Sequence, residues 1–217
     1  MQIPDAEHDD LRLSDRPLIV CDIDEVVLEF VTPFEAFLTH NGHELRATSF
    51  SLHGNVFSRT DGSAIADDEV SRLLEVFFAS HDEWQTPVVQ AADSLARLSE
   101  AADIVFLTAM PPRHRQVRRR LLSQHGFDFP MIATESPKGP ALQALHGERS
   151  HPVVFIDDIF VNLQSVRKHV PQTLLLNLMA NQTYRALAPH PGEGVDIAND
   201  WAHAETLIKA HFGATAD

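Results

Sequence analysis

The sequence is poor in cysteine, in basic residues and in long apolar runs. Cys21 is the only cysteine among 217 residues, so an intramolecular disulfide cannot form. No run of about 18 apolar residues is present, so no membrane-spanning helix is predicted. The 17 basic and 31 acidic residues give a formal net charge of −14, which argues against nucleic acid and anionic membranes as general partners. A pocket for a small anion is still possible, because the local charge of a pocket decides what it binds.

The amino-terminal residues 1–15 are polar and acidic, and they lack the apolar core of an export signal. They predict a flexible arm, and a cytoplasmic location follows by default. Hydrophobic residues make up 44% of the sequence and charged residues 22%, which are the proportions of a globular protein. The length allows one domain of ordinary size, or a domain that carries an insertion.

A short apolar stretch, Leu18 to Cys21, follows Pro17 and leads into two aspartates, Asp22 and Asp24. An apolar run without polar alternation is typical of a strand that helices cover on both faces. Alternation along an extended chain would place both aspartates on one side. Because two adjacent carboxylates repel each other, the pattern favours a site that binds a cation, or one that needs an ionised and a protonated carboxyl group.

The later sequence alternates predicted strands with predicted helices. This rhythm indicates a Rossmann-like, three-layer α/β/α fold around a parallel sheet. The further strands are predicted at residues 104–107, 129–132, 153–156 and 173–176, and the helices from Thr86 onwards and at residues 112–124, 140–145, 160–169 and 201–212, with a loop at residues 189–194.

Residues 31–85 interrupt this rhythm. Their apolar spacing predicts helices close to residues 32–40 and 67–80, so the segment reads as a small, mainly helical insertion after the first strand. The sequence therefore predicts a core domain made of residues 16–30 and 86–217, a cap at residues 31–85, and the flexible arm.

Further polar residues follow the predicted strands, where ligands bind in an open parallel sheet. Thr108 follows the second strand, Lys138 precedes a helix, and Asp157 and Asp158 follow the fourth strand. Carboxylates suit Mg²⁺, whereas a hydroxyl group and an ammonium group suit the oxygens of a phosphate. The set predicts metal-assisted phosphoryl chemistry with a carboxylate nucleophile.

These residues resemble, in the right order, the four motifs of the haloacid dehalogenase-like superfamily. The resemblance implies that Asp22 is a nucleophile that becomes an aspartyl-phosphate, and that Asp24 is the general acid and base. It implies that Thr108 and Lys138 bind the phosphoryl group. The matching segments are Asp22-Ile23-Asp24-Glu25-Val26, Thr108, Lys138 and Asp157-Asp158-Ile159-Phe160-Val161-Asn162.

The resemblance also implies a Mg²⁺ site. Its ligands would be the carboxylates of Asp22 and Asp157 and the backbone carbonyl of Asp24, with Asp158 as a further candidate. The resemblance leaves open which of Asp157 and Asp158 binds the metal directly. Asn162 would steady the loop after the fourth strand. The insertion at residues 31–85 stands where the superfamily has its type 1 cap.

The leading hypothesis is a Mg²⁺-dependent phosphatase for a small phosphorylated metabolite. A phosphotransferase or phosphomutase of the same superfamily would use the same residues, and a small helical cap is also similar to that of the 5′(3′)-deoxyribonucleotidases, so a nucleotidase is an alternative. A dehalogenase needs neither the metal nor Asp24 as acid and base, so Asp24 and the pair Asp157-Asp158 argue against that activity.

A phospho-receiver domain has its acidic pair first and its lysine last. Here Lys138 precedes the pair Asp157-Asp158, which argues against a receiver domain. A non-catalytic binding module is a further alternative.

Five arginines form a basic run after the second core strand. The pattern is typical of a solvated helix face, on which Arg113 would lie nearest the site. The run consists of Arg113, Arg115, Arg118, Arg119 and Arg120. Cys21 is predicted to be a small buried apolar residue.

Overall fold

The computed structural model describes residues 6–8 and 11–214. Within these ranges the backbone forms nine strands and eight α-helices. The strands are β1 (Ala6–His8), β2 (Leu18–Cys21), β3 (His43–Leu45), β4 (Val56–Ser58), β5 (Asp103–Thr108), β6 (Met131–Thr134), β7 (Val153–Asp157), β8 (Leu174–Asn177) and β9 (Val195–Ile197). The helices are α1 (Val31–His40), α2 (Asp67–Ala79), α3 (Ala91–Ser99), α4 (Arg115–Gln124), α5 (Lys138–His146), α6 (Phe160–His169), α7 (Gln182–Leu187) and α8 (Trp201–Ala214).

Seven of these strands form one sheet, in the order β1-β6-β5-β2-β7-β8-β9. All neighbouring pairs are parallel except β1 with β6, which is antiparallel. The central strand β2 is buried along its whole length between β5 and β7. A parallel strand that is covered on both faces has no solvated side, which explains why its sequence shows no polar alternation. The predicted Rossmann-like, three-layer α/β/α fold is confirmed.

Alternate residues of β2 enter two different apolar clusters. Ile19 and Cys21 belong to the cluster that includes buried residues of α3, α4 and α8, and Leu18 and Val20 belong to the cluster that includes those of α5 and α6. Side chains of a strand point to opposite faces in turn, so the two clusters cover the two faces of the sheet. Cys21 is fully buried, as predicted. Among the described helices, none combines the length and the hydropathy that a membrane span requires.

The insertion, residues 31–85, folds around an apolar cluster of its own. Phe34 and Phe37 of α1 pack against Phe77 of α2, and the rings of Phe34 and Phe77 meet edge to face with their centroids 5.3 Å apart. The prediction of two helices here is confirmed. The insertion is less helical than predicted, however, because β3 and β4 pair as an antiparallel two-stranded sheet.

The structure corrects three further predictions and adds two elements that were not predicted. The strand predicted at residues 129–132 lies at Met131–Thr134, and the helix predicted from Thr86 begins at Ala91. The helix α7 and the strand β9 were not predicted. Part of the predicted flexible arm is held in place: Ala6–His8 forms β1, and the Ser14 hydroxyl donates a hydrogen bond to Asp103 Oδ1 at 2.8 Å. The arm's residues 1–5 and 9–10 lie outside the described ranges.

Helices α5 and α6 approach each other too closely at Gly139 to leave room for a side chain. A Cβ atom there would lie 2.4 Å from the backbone oxygen of Ser165 and 2.5 Å from Nδ1 of His169. We expect Gly139→Ala to lower the free energy of unfolding by about 1–3 kcal/mol, because a close-packed interior must shift to admit a methyl group. Urea denaturation measures the change.

The matched control is Gly213→Ala in α8, where an added Cβ would have no atom within 4 Å. Alanine forms helices better than glycine, so this variant should be as stable as the parent or slightly more stable. A Gly139→Ala protein as stable as the parent would contradict the close approach of α5 and α6.

Candidate functional site

Polar side chains meet where the central strands end. Asp22 directly follows β2, Thr108 ends β5 and Asp157 ends β7. Cys21 is in register with Phe106 of β5 and with Ile156 of β7, and the Asp22 N–H donates to the Ile156 carbonyl at 2.9 Å. Because neighbouring parallel strands end at the same edge of the sheet, this register brings the side chains into one cleft.

Three buried carboxylates and one lysine form the centre of the site. Asp22, Asp157 and Asp158 each have a carboxylate oxygen within 4.8 Å of such an oxygen on the other two. Lys138, at the start of α5, places Nζ 2.7 Å from Asp22 Oδ1 and 2.6 Å from Asp157 Oδ2. When all four groups are charged, two negative charges remain. The oxygen ligands and this excess charge fit a hard divalent cation.

The crowding of charges changes the pKa values of this cluster. Burial raises the pKa of Asp22 to about 7; Lys138 opposes the rise, and Asp157 adds to it. Burial also raises the pKa of Asp158, and repulsion from Asp157 and Asp22 adds to the effect. Burial alone would lower the pKa of Lys138, but Asp157 and Asp22 outweigh it and raise that pKa. Protons or a cation are therefore needed to hold the carboxylates this close together.

The two aspartates of the acidic pair differ in their surroundings. Asp157 Oδ1 accepts hydrogen bonds from the backbone N–H of Ile159 at 2.8 Å and from the Asn162 amide at 3.1 Å, in addition to the Lys138 contact at Oδ2. No donor from the part of the chain that the structure describes binds the carboxylate of Asp158. The carboxylate oxygens of Asp157 are therefore occupied by donors of the protein itself, whereas those of Asp158 are less so.

Asp24 is separate from this cluster. Arg118 donates from Nη1 to Asp24 Oδ1 at 2.9 Å and from Nη2 to Oδ2 at 3.0 Å, and Gln85 Nε2 donates to Oδ1 at 2.8 Å. The Asp24 carboxylate is thus held in one orientation by a two-pronged ion pair and by an amide.

Arg118 is the main site residue that sequence reasoning missed. The prediction of a solvated basic face is wrong for this residue, because its side chain is 0% exposed. Its position contained the signal: on α4 it lies three and four residues before the buried Leu121 and Leu122, and therefore on the apolar face of the helix. Arg113, the residue predicted nearest the site, instead forms an ion pair with Glu75 at the surface.

Thr108 and Glu25 complete the surroundings. Thr108 is almost fully buried and lines a pocket of about 200 Å³ together with Asp22 and Asp24. Glu25 has a left-handed backbone with φ of 62°, and its carboxylate accepts hydrogen bonds from the N–H groups of Phe30 at 2.9 Å, of Val31 at 2.7 Å and of Asn181 at 2.7 Å. Burial raises the pKa of Glu25, and these hydrogen bonds oppose the rise.

No protein family's sequence profile matches the chain, and no curated protein sequence matches it significantly. Its architecture, in contrast, matches solved structures. One is a phosphonoacetaldehyde hydrolase-like protein from Oleispira antarctica, which aligns with a TM-score of 0.62 and 12% identity over 96% of this chain and 97% of that one. Another is a haloacid dehalogenase-like family hydrolase from Streptococcus pneumoniae, with a TM-score of 0.58 and 16% identity over 88% of this chain and 97% of that one.

The chain has the haloacid dehalogenase-like fold. The haloacid dehalogenase-like architecture that the resemblance implied is thereby confirmed. A further solved structure that the chain matches is D,D-heptose 1,7-bisphosphate phosphatase from B. bronchiseptica, in complex with magnesium and phosphate. It aligns with a TM-score of 0.50 and 15% identity over 89% of this chain and 98% of that one.

If the carboxylate cluster binds a divalent cation, Mg²⁺ should stabilise the folded protein. At a Mg²⁺ concentration about 100 times the dissociation constant, linkage gives about 2.7 kcal/mol, which raises the Tm of a protein of this size by about 5–10 °C. We expect Asp158→Asn to lose most of this Mg²⁺-dependent rise in thermal unfolding, whatever its Tm without the metal.

Asp196→Asn is the matched control, because Asp196 is exposed on β9 and lies outside the cluster. It should keep the full response to Mg²⁺. An equal response in the Asp158 variant would remove that residue from the candidate metal site.

Proposed function

We propose that the protein is a Mg²⁺-dependent phosphatase that hydrolyses a small phosphorylated metabolite through an aspartyl-phosphate on Asp22. The observation that carries this proposal is the contact of one buried lysine, Lys138, with both Asp22 and Asp157 in a cleft at the carboxyl edge of the sheet. Such a group of charges is expensive to bury, and binding a phosphoryl group together with a cation gives it a chemical purpose. The haloacid dehalogenase-like fold supports the same reaction class.

Asp22 is the proposed nucleophile. Lys138 holds its Oδ1, so that the other oxygen can face the phosphorus atom of a bound ester. Attack forms a bond between the carboxylate oxygen and phosphorus and breaks the bond from phosphorus to the ester oxygen, which takes a proton from Asp24 as general acid. Water, which gives a proton to Asp24, then attacks the phosphorus atom of the aspartyl-phosphate. The bond from phosphorus to the Asp22 oxygen breaks, inorganic phosphate leaves, and both aspartates return to their starting states.

Two further groups would contact the phosphoryl oxygens. Thr108 lies in the same pocket as Asp22 and supplies a hydroxyl donor, and Lys138 supplies a positive charge. Asp24 faces Arg118 and Gln85, so to act as the acid it must carry a proton and exchange one of these hydrogen bonds for the substrate oxygen.

The residues proposed to hold Mg²⁺ are Asp22, Asp158 and the backbone carbonyl of Asp24. Asp157 would not bind the metal directly but would orient Lys138, because Lys138 and Asn162 already bind its oxygens. Bound Mg²⁺ supplies positive charge next to the transferring phosphoryl group. The carboxylates of Asp22 and Asp158 would in turn determine the position of the ion.

The insertion is the proposed type 1 cap. Phe30, directly before the insertion, and Phe78 of α2 line the same pocket as Asp22 and Asp24. A layer that covers the cleft excludes water and selects the group that enters with the phosphate.

A phosphotransferase or phosphomutase is the second candidate. The putative β-phosphoglucomutases from Bacteroides vulgatus and Thermotoga maritima also share the fold, with TM-scores of 0.55 and 0.50. The reaction would differ only in its second half, in which a hydroxyl group of an acceptor would replace water. Release of inorganic phosphate in the absence of any acceptor distinguishes the phosphatase.

Asp22→Asn should abolish the reaction, because an amide cannot form the aspartyl-phosphate. We expect the rate of phosphate release from p-nitrophenyl phosphate with Mg²⁺ to fall by about 1,000-fold or more. The variant should fold, since it keeps the shape of the side chain and removes one buried charge. Asp196→Asn serves as the control, and ordinary turnover by the Asp22 variant would end the assignment of the nucleophile.

Arg118→Lys tests whether the two-pronged ion pair positions Asp24. Lysine keeps the charge but cannot hold both carboxylate oxygens, so we expect kcat to fall by about 10- to 100-fold while KM changes little. Arg120→Lys, at an exposed position of the same helix, should leave both constants unchanged. A parallel change in KM and kcat, or none at all, would contradict a positioning role.

A further inference from the structure

A second pocket, here called the apolar chamber, lies beside the proposed active site. Its volume is about 210 Å³. Glu25, Phe30, Asp158 and Ile159 line both the chamber and the pocket of Asp22. The two spaces therefore share a wall at Asp158, whose carboxylate belongs to the candidate metal cluster. A group attached to a phosphoryl oxygen at Asp22 would have the chamber as its neighbour.

The walls of the chamber are almost entirely apolar. Phe50 and Leu52 come from the insertion, and Met179 and Tyr184 come from the segment after β8. The rings of Phe50 and Tyr184 are 6.4 Å apart between centroids. The Tyr184 hydroxyl donates its hydrogen bond to the backbone oxygen of Ser51 at 3.3 Å, so it does not offer that hydrogen bond to a ligand. A polyol in this space would lose hydrogen bonds to water and regain few of them.

The charged groups of the chamber wall are all negative. None of the residues that line it in the described part of the chain is a lysine, an arginine or a histidine. The acids are Asp158 and Glu25, and the carboxylate of Glu25 is already occupied by three backbone N–H groups. A second phosphate or a carboxylate on the substrate would be desolvated here without a positive partner and beside negative charge.

We propose that the chamber holds the leaving group of the substrate, and that this group is an uncharged, largely apolar alcohol. The inference rests on the proposed phosphatase function. A cavity of about 150 Å³ is known to hold benzene, so the chamber has room for one substituted aromatic ring or for an alkyl chain of similar bulk. Sugar phosphates, bisphosphates and nucleoside di- and triphosphates are excluded as preferred substrates, because each carries polar or charged groups that the chamber does not satisfy.

The test compares phosphate esters of primary alcohols, whose intrinsic reactivity is similar. Hexyl and benzyl phosphate are set against glycerol 3-phosphate and glucose 6-phosphate, with Mg²⁺ and the full-length protein. We expect kcat/KM to be about 10-fold or more higher for the apolar pair, and to rise about fourfold for each methylene from methyl to butyl phosphate.

A variant of the chamber wall makes the test specific. Phe50→Ala should lower kcat/KM for hexyl and benzyl phosphate by about fivefold or more, mainly through KM, and should leave methyl phosphate unchanged. Phe57→Ala is the matched control: Phe57 belongs to the same insertion but stacks under the Arg46 guanidinium at 4.1 Å and does not line the chamber. It should not change the preference.

The outcomes separate the two proposals. Faster hydrolysis of glucose 6-phosphate or glycerol 3-phosphate than of the apolar esters would overturn the inference and leave the phosphatase function standing. Equal losses on methyl and hexyl phosphate in the Phe50 variant would also overturn it. No release of phosphate from any ester would overturn the phosphatase function and the inference together.

Discussion

The bridge that Lys138 forms between Asp22 and Asp157 is the interaction on which the site depends. Three carboxylates stand together at the end of the central strands with almost no exposure to water, and this burial, to which repulsion between them adds, raises the pKa values of Asp22 and Asp158. The ammonium group of Lys138, 2.6–2.7 Å from two of them, neutralises one of the three negative charges, so two remain uncompensated when all the groups are ionised. The absence of a side chain at Gly139 lets α5 lie close against α6 directly after Lys138. The packing of these two helices therefore fixes the position of the Lys138 ammonium group.

The sequence was sufficient to predict the five central strands of the sheet and the chain positions of the acids, because these features leave strong local signals. A buried parallel strand must be apolar on both faces, so β2 and β7 appear as uninterrupted apolar runs. A carboxylate that ends such a run has no structural reason to be there, which singled out Asp22 and Asp157. The alternation of strand and helix then determined that their carboxyl ends would meet.

The features that sequence reasoning missed depend on partners far along the chain. The strands β1, β3, β4 and β9 have three residues each, too few for a periodicity of two to emerge, and they exist through pairing with a neighbour. Arg118 lies in a run of arginines, and its place on the apolar helix face with Leu121 and Leu122, which packs against the core, distinguishes it from the exposed Arg120. Composition alone made those two residues look equivalent, and tertiary packing gave them different environments.

The loop that carries the proposed nucleophile is also the point where the insertion is attached. Glu25 binds the N–H groups of Phe30 and Val31 where the insertion begins, and Gln85, where it ends, binds both Asp24 and the backbone oxygen of Glu29. The insertion therefore cannot shift on the sheet without straining hydrogen bonds to the residues on either side of the second aspartate. The insertion also supplies Phe50 and Leu52 to the apolar chamber, and Glu25, next to Asp24, lines the same chamber. A group bound there therefore contacts both the insertion and the loop that holds Asp24. Recognition of the leaving group and orientation of the proposed acid and base thus depend on one short hydrogen-bonded segment.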